Sequence, residues 1–108
     1  MNMVQKHIKA ILGSPILAPY VKGYFCNVAR VADMKLKRAM SANPIPSFPT
    51  QDMIDAQEEY SIKLGKDLHI EKIDTLNFIE WADEYNSTRS GTDGVEGLAV
   101  AVQNYFIG

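Results

Sequence analysis

Chemistry in a protein of this size needs a few side chains of the right type at the right spacing, and the candidates here are sparse. The chain has two histidines, His7 and His69, and one cysteine, Cys26. Neither histidine has a second ligand three or four residues away, so the sequence holds no half-site for zinc or haem. Cys26 has no base nearby in sequence that would activate it as a nucleophile. Glu71, Asp74, Glu80, Asp83 and Glu84 form the densest group of carboxylates. A bundle-core di-iron site would pair such acids with Glu-x-x-His, and that motif is missing. A solvated acidic face is the better account. The stretch from Asp83 to Gly94 offers oxygens without the EF-hand spacing or its glycine. Gly91, Gly94 and Gly97 precede a helical pattern, but a phosphate loop would also need a lysine and a preceding buried strand. Asn86-Ser87-Thr88 fits the glycosylation triplet, which matters only in a secreted protein. No catalytic, metal-binding or cofactor-binding residue is assigned, and the chain is expected not to be an enzyme.

Cations make a second candidate set. Residues 1–50 hold seven basic side chains against one acid, Asp33, whereas residues 51–108 hold twelve acids against four basic groups. The net charge of −2 conceals this division. Arg30, Lys35, Lys37 and Arg38 could contact phosphates from one helix, the alternative reading being a nucleic-acid-binding protein. Few aromatic residues interleave with them. An acidic second half that mimics nucleic acid is a further alternative. The simpler account is that the basic half packs beside the acidic half and each screens the other.

These groups must be carried by some set of elements, and one stretch dominates. Pro19–Met40 reads as a single long amphipathic helix. At about 100° per residue, Val21, Phe25, Val28, Ala32, Leu36 and Ala39 fall on one side, with Tyr24, Val31, Ala29 and Met40 on the flanks. Arg30, Lys37, Arg38, Asn27 and Asp33 lie opposite. Pro19 suits the first turn, where its missing N–H would be unpaired in any case. Lys35, Lys37 and Arg38 favour the negative end of the helix dipole. Asn43-Pro44 halts the helix, because the residue before proline is pushed out of the α region. Gly23 costs about 1 kcal/mol against alanine inside the helix, and a close helix crossing would explain it.

Before this helix, Asn2 caps a short one ending near Leu12, with Val4, Ile8 and Ile11 on one side. Gly13 stops it, and Ile16, Leu17 and Tyr20 are expected to be buried in the corner that follows. After it, residues 43–49 run Asn-Pro-Ile-Pro-Ser-Phe-Pro, an extended Pro-rich crossover. Its PxxP spacing, Pro46 to Pro49, is too common to assign a docking role. Thr50 caps the next helix, whose expected buried face is Met53, Ala56, Tyr60 and Leu64. Glu59 and Lys63 are spaced as an ion pair, and Gly65 is expected to close the helix. Residues 68–73 alternate apolar and polar and read as an extended connection. Asp74 is the expected cap of a helix to about Tyr85, with Ile73 stapled to Phe78. Asn86 to Gly94 reads as a polar loop, and Asp93 as the cap of a terminal helix. On that helix Val95, Leu98, Ala99, Val102, Tyr105 and Phe106 share one face, and no charge follows Glu96.

These patterns specify an all-α fold: a single small domain, 1–108, of four to five helices packed on one long central helix. The length suits one domain with one modest core. No run approaches 18 apolar residues, so no transmembrane helix is expected. The apolar stretch from Ala10 to Val21 is broken by two prolines and Gly13, unlike a signal peptide. A lone cysteine fits a reducing, cytoplasmic location. More apolar helix face exists than one small core requires. That surplus points to a non-enzymatic protein-interaction module, regulator or inhibitor. Its partner is another protein or a second copy of this chain, with nucleic acid less favoured and no membrane role. Phe78, Trp81, Tyr85, Tyr105 and Phe106 are the candidate aromatic anchors. The residues carry no recognised family pattern, which favours a fast-evolving source such as a virus or mobile element.

Overall fold

The computed structural model describes residues 2–40, 49–89 and 94–107, with only the backbone of residues 106 and 107. Five helices follow in order: α1 (Met3–Leu12), α2 (Ala18–Met40), α3 (Gln51–Asp67), α4 (Lys72–Thr88) and α5 (Gly94–Ile107). No strand occurs among the described residues. The spine is α2, which touches all four of the other helices. The Pro-rich crossover (Pro49 apart), the Asp93 cap, Gly91 and the Phe106 side chain lie outside the described residues.

The sequence pattern of α2 translates directly into burial. Val21, Tyr24, Phe25, Val28, Ala29, Val31 and Ala32 are buried along it. Beyond them the stripe runs out of core: Leu36 is half-buried, and Ala39 and Met40 are exposed. At α1, Asn2 accepts from the Gln5 backbone N–H at 2.9 Å, and the Asn2 N–H donates to Gln5 Oε1 at 3.0 Å. This reciprocal pair satisfies two N–H groups that the helix start would otherwise leave orphaned. Gln5 Nε2 also donates to the Tyr105 carbonyl, tying α1 to the end of α5. Ile16 and Tyr20 do not fill the corner before α2 as expected. They are 78% and 67% exposed, and Leu17, expected to be buried with them, is 38% exposed; Leu17 and Tyr20 line an open hollow against the end of α3 and do not fill a closed corner.

Helix α3 runs back along α2. Arg38 Nη1 donates to the Pro49 carbonyl at 3.2 Å, and Gln57 Nε2 donates to Asn27 Oδ1 at 2.6 Å. Thr50 caps α3 by accepting from Met53 N–H. The buried face of α3, however, is Ile54, Ser61 and Gly65, rotated by about a third of a turn from the expected one. Met53, Ala56 and Tyr60 are exposed and Leu64 is half-buried. The reason is steric. A Cβ on Gly65 would lie 2.7 Å from Thr75 Oγ1 and 3.1 Å from Tyr24 Cε2. Only glycine at position 65 lets this end of α3 approach Thr75 and the Tyr24 ring, and that sets the helix with Ile54 and Ser61 inward and Met53 and Tyr60 outward.

Gly65 does not end α3. The helix continues to Asp67 and closes in a Schellman arrangement. The Ile70 N–H donates to the Gly65 carbonyl at 2.7 Å and the His69 N–H to the Lys66 carbonyl at 2.9 Å. His69 takes the left-handed conformation that this motif requires, with φ 61°. Its neighbour Ile70 is buried. Residues 68–71 are therefore a tight helix-to-helix corner and not an extended connection. Helix α4 consequently starts earlier than expected. Glu71 is its N-cap, without a side-chain cap, and Asp74 sits in its first turn. Ile73 is exposed, so the expected staple to Phe78 does not form. At its other end α4 extends through Asn86, Ser87 and Thr88, which were expected in a loop.

The core is knit by one buried polar contact. Tyr24 Oη lies 2.7 Å from Thr75 Oγ1, and both residues are fully buried. Burial pushes the Tyr24 phenol well above its usual pKa, with the Asp74 charge adding to the effect and the Thr75 hydrogen bond opposing it. Phe78 meets Tyr24 edge-on at 6.4 Å between ring centroids.

A candidate interaction cleft between α4 and α5

Helix α4 and its C-cap place Trp81, Tyr85 and Arg89 at successive four-residue steps, so they stand above one another on one face. The rings of Trp81 and Tyr85 stack with centroids 5.0 Å apart. The Arg89 guanidinium carbon lies 5.3 Å from the Tyr85 centroid, a cation–π distance. From the other wall, near the end of α5, Tyr105 stacks on Trp81 at 4.5 Å. Three aromatic side chains from two helices thus form one continuous stack, half-buried at Trp81 and Tyr85 and 44% exposed at Tyr105.

This stack walls an open concavity of about 600 Å³, which Arg89, Gly97, Val100, Ala101 and Asn104 complete. A second hollow of about 300 Å³ adjoins it and shares Trp81, Tyr85 and Arg89, adding Glu84 and Thr88. The α5 wall is Gly97, Val100, Ala101 and Asn104, spaced as one helix face. Val100 is 58% exposed. Gly97 and Ala101 put little side-chain bulk on this wall.

Of the aromatic residues singled out in the sequence, the structure brings Trp81, Tyr85 and Tyr105 together. It does not bring Phe78 to the surface: at 4% exposure Phe78 belongs to the core, against Tyr24. Phe78 and Trp81 lie only about 60° apart on the α4 wheel, and that rotation turns one ring inward and the other to the cleft. Sequence reading missed Arg89, Gly97, Val100, Ala101 and Asn104. The 81-85-89 spacing and the uncharged run after Glu96 were the signals available for them.

The four cations of the alternative reading are not assembled into a track. Lys37 pairs with Asp33 at 3.0 Å, and Arg38 is engaged with the Pro49 carbonyl. Arg30 is exposed, and Lys35 is half-buried on a different side of α2. Glu59 and Lys63 form no ion pair despite their spacing. His7 Nε2 lies 2.7 Å from the Leu68 carbonyl, a structural contact between α1 and the end of α3. Cys26 is half-buried against the core. No close helix crossing accounts for Gly23, where an added Cβ would meet nothing within 4 Å.

A smaller hollow of about 290 Å³ is lined by Leu17, Tyr20, Leu64, Asp67 and Leu68. No group of three metal-ligating side chains occurs among the described residues, and no helix among them is long and apolar enough to cross a membrane. Comparison with protein-family models, with curated proteins and with solved structures finds no match.

Proposed function

We propose that this chain is a non-catalytic protein-interaction module and that the α4–α5 cleft is its docking surface. One observation carries the reading: the Tyr85–Trp81–Tyr105 stack and an uncharged stretch of α5 together line one open cleft of about 600 Å³. Aromatic side chains are the commonest energetic anchors of protein interfaces, because they bury large area at little conformational cost. Stacking holds these rings in place before any partner arrives, which reduces the ordering cost of binding. The polar groups lining the cleft are a guanidinium, an amide and phenol hydroxyls. They can orient a partner, and none stands as a nucleophile beside a base.

Val100→Glu tests the reading, because it sets a charge into the cleft from an exposed helical position where folding tolerates it. The readout is the set of proteins that copurify from the native host, with light scattering for mass. Met53→Glu on the outer face of α3 is the matched control. Partner loss is expected with Val100→Glu alone. Equal retention, or equal loss with the control, refutes the cleft as the docking surface.

A further inference from the structure

We infer that the occupant of the α4–α5 cleft is a cationic amphipathic helix supplied by a partner protein. This inference rests on the cleft being the docking surface and adds the chemistry of what docks. The shape argues first. Gly97 and Tyr105 are both on the α5 wall, which at 1.5 Å per residue makes the cleft about 12 Å long, two turns of a helix. A groove between two helices receives a third through anchors spaced three, four and seven residues apart. The floor, with Val100 and Ala101 beside the ring stack, suits the apolar stripe of such a helix.

Charge argues second. Both margins of the cleft are acidic. Glu84 lines the adjoining hollow, and Glu80 stands one turn before it on the same exposed flank of α4. On the α5 side, exposed Glu96 lies one turn before Val100. Helix α5 carries no lysine or arginine, and the cation of α4, Lys72, is its first residue, about 14 Å along the axis from Trp81. Arg89 is the one cation among the described lining residues. Its placement on Tyr85 shows within this chain that the ring stack accepts a guanidinium. A helix bearing arginines along the margins of its apolar stripe matches both features. The margins would steer its approach, and the rings would take its apolar side chains and a stacked guanidinium.

The chain's single tryptophan is Trp81, so its fluorescence reports on the cleft itself. The probe is a synthetic amphipathic helix of leucine, alanine and arginine, with a twin carrying glutamate at every arginine. The arginine peptide should change Trp81 emission saturably, and the glutamate twin should not. Raising salt should weaken the response, since these margins are exposed. Glu80→Gln with Glu84→Gln should weaken binding roughly two- to tenfold. Glu58→Gln with Glu59→Gln, on α3, should leave it unchanged. Equal response to both peptides, or equal loss in the α3 variant, overturns the cationic occupant. So does a dimer in light scattering that Val100→Glu dissolves, which would put a second copy in the cleft. If neither peptide perturbs Trp81 while Val100→Glu still strips the native partners, only the occupant falls. If Val100→Glu is also without effect, the docking surface itself falls.

Discussion

Two glycines in helix interiors should respond to alanine with opposite sign, and the contrast tests the packing directly. In Gly65→Ala the new methyl would sit 2.7 Å from Thr75 Oγ1 and 3.1 Å from Tyr24 Cε2. Neither neighbour can yield to solvent, because both are fully buried. Moving Thr75 also stretches its 2.7 Å contact with the Tyr24 hydroxyl. Overpacking costs about 1–3 kcal/mol, and an impaired buried hydrogen bond costs about 1–3 kcal/mol. One displacement causes both, so they overlap. Alanine's better helix propensity returns about 1 kcal/mol. The net expectation is a loss of roughly 2–3 kcal/mol, a drop in Tm of about 10–20 °C for a domain this size. At Gly23 an added Cβ meets nothing within 4 Å. Gly23→Ala should therefore gain up to about 1 kcal/mol. Urea unfolding followed by circular dichroism gives both values, and an unchanged slope shows that the same two states are compared. Thr75→Ala removes the obstructing oxygen, so Gly65→Ala should cost less in that background than alone. A neutral Gly65→Ala, additive effects in the double variant, or a destabilising Gly23→Ala would refute the reasoning.

Two further outcomes follow from single residues. Tyr24 keeps its proton in the folded chain far above the pH at which an unfolded tyrosine loses it, so its contribution is complete below about pH 10 and falls above it by about 1.4 kcal/mol per pH unit. Alkaline unfolding should track ionisation of one tyrosine in a spectrophotometric titration, and Tyr24→Phe should flatten that dependence; an unchanged slope in the variant would contradict it. His69 holds a left-handed φ of 61° that a side chain resists, so His69→Gly should raise stability by about 0.5–1 kcal/mol and His69→Ala should be near neutral. A loss in the glycine variant, read from the urea midpoint, would mean that the imidazole itself stabilises the corner.

The spine was legible because its signal is long. About six turns of one period in Pro19–Met40 outweigh any local ambiguity, and the caps at Asn2 and Thr50 are chemical statements about helix starts. Helix α3 shows where that logic stops. Its apolar period, Met53-Ala56-Tyr60-Leu64, is regular, yet the buried face is Ile54-Ser61-Gly65. Hydrophobicity ranks Tyr60 above Gly65 as a core residue, but Thr75 and the Tyr24 ring leave no room even for a Cβ at position 65. That constraint belongs to the partner helices and is not written in α3. Residues 68–71 failed for a related reason. Their alternation suits an extended segment, whereas a non-glycine residue in the left-handed region, unmarked in the sequence, folds them into a corner. At the cleft, the wheel identified Trp81, Tyr85 and Tyr105 one helix at a time. Their mutual stacking, and the inward turn of Phe78, depend on how α4 and α5 rotate against α2.

The same packing separates the two apolar surfaces that the fold leaves uncovered. On α3, Met53 and Tyr60 point outward because Ser61 and Gly65 must point inward; their exposure is a by-product of seating Tyr24. They lie on an outer helix face beside Asp52 and Glu59, without ring partners among the described residues, and single exposed apolar residues of this kind are ordinary. The α4–α5 surface has no such origin. Leu98, Ala99 and Val102 already fill the core side of α5, so nothing in the core requires Val100 to be apolar or the positions around it to be uncharged. Trp81 and Tyr85 pack against the core on one side and are half-exposed on the other, so the core accounts for their inner edges and not for the ring faces they turn to the cleft. A concave surface whose composition the core demands only in part, built on rings that already hold one another, is where a partner's demands should have acted. Charge placed at Val100 should therefore disturb binding and spare folding, whereas Gly65→Ala should disturb folding and leave the cleft residues untouched in any fraction that still folds.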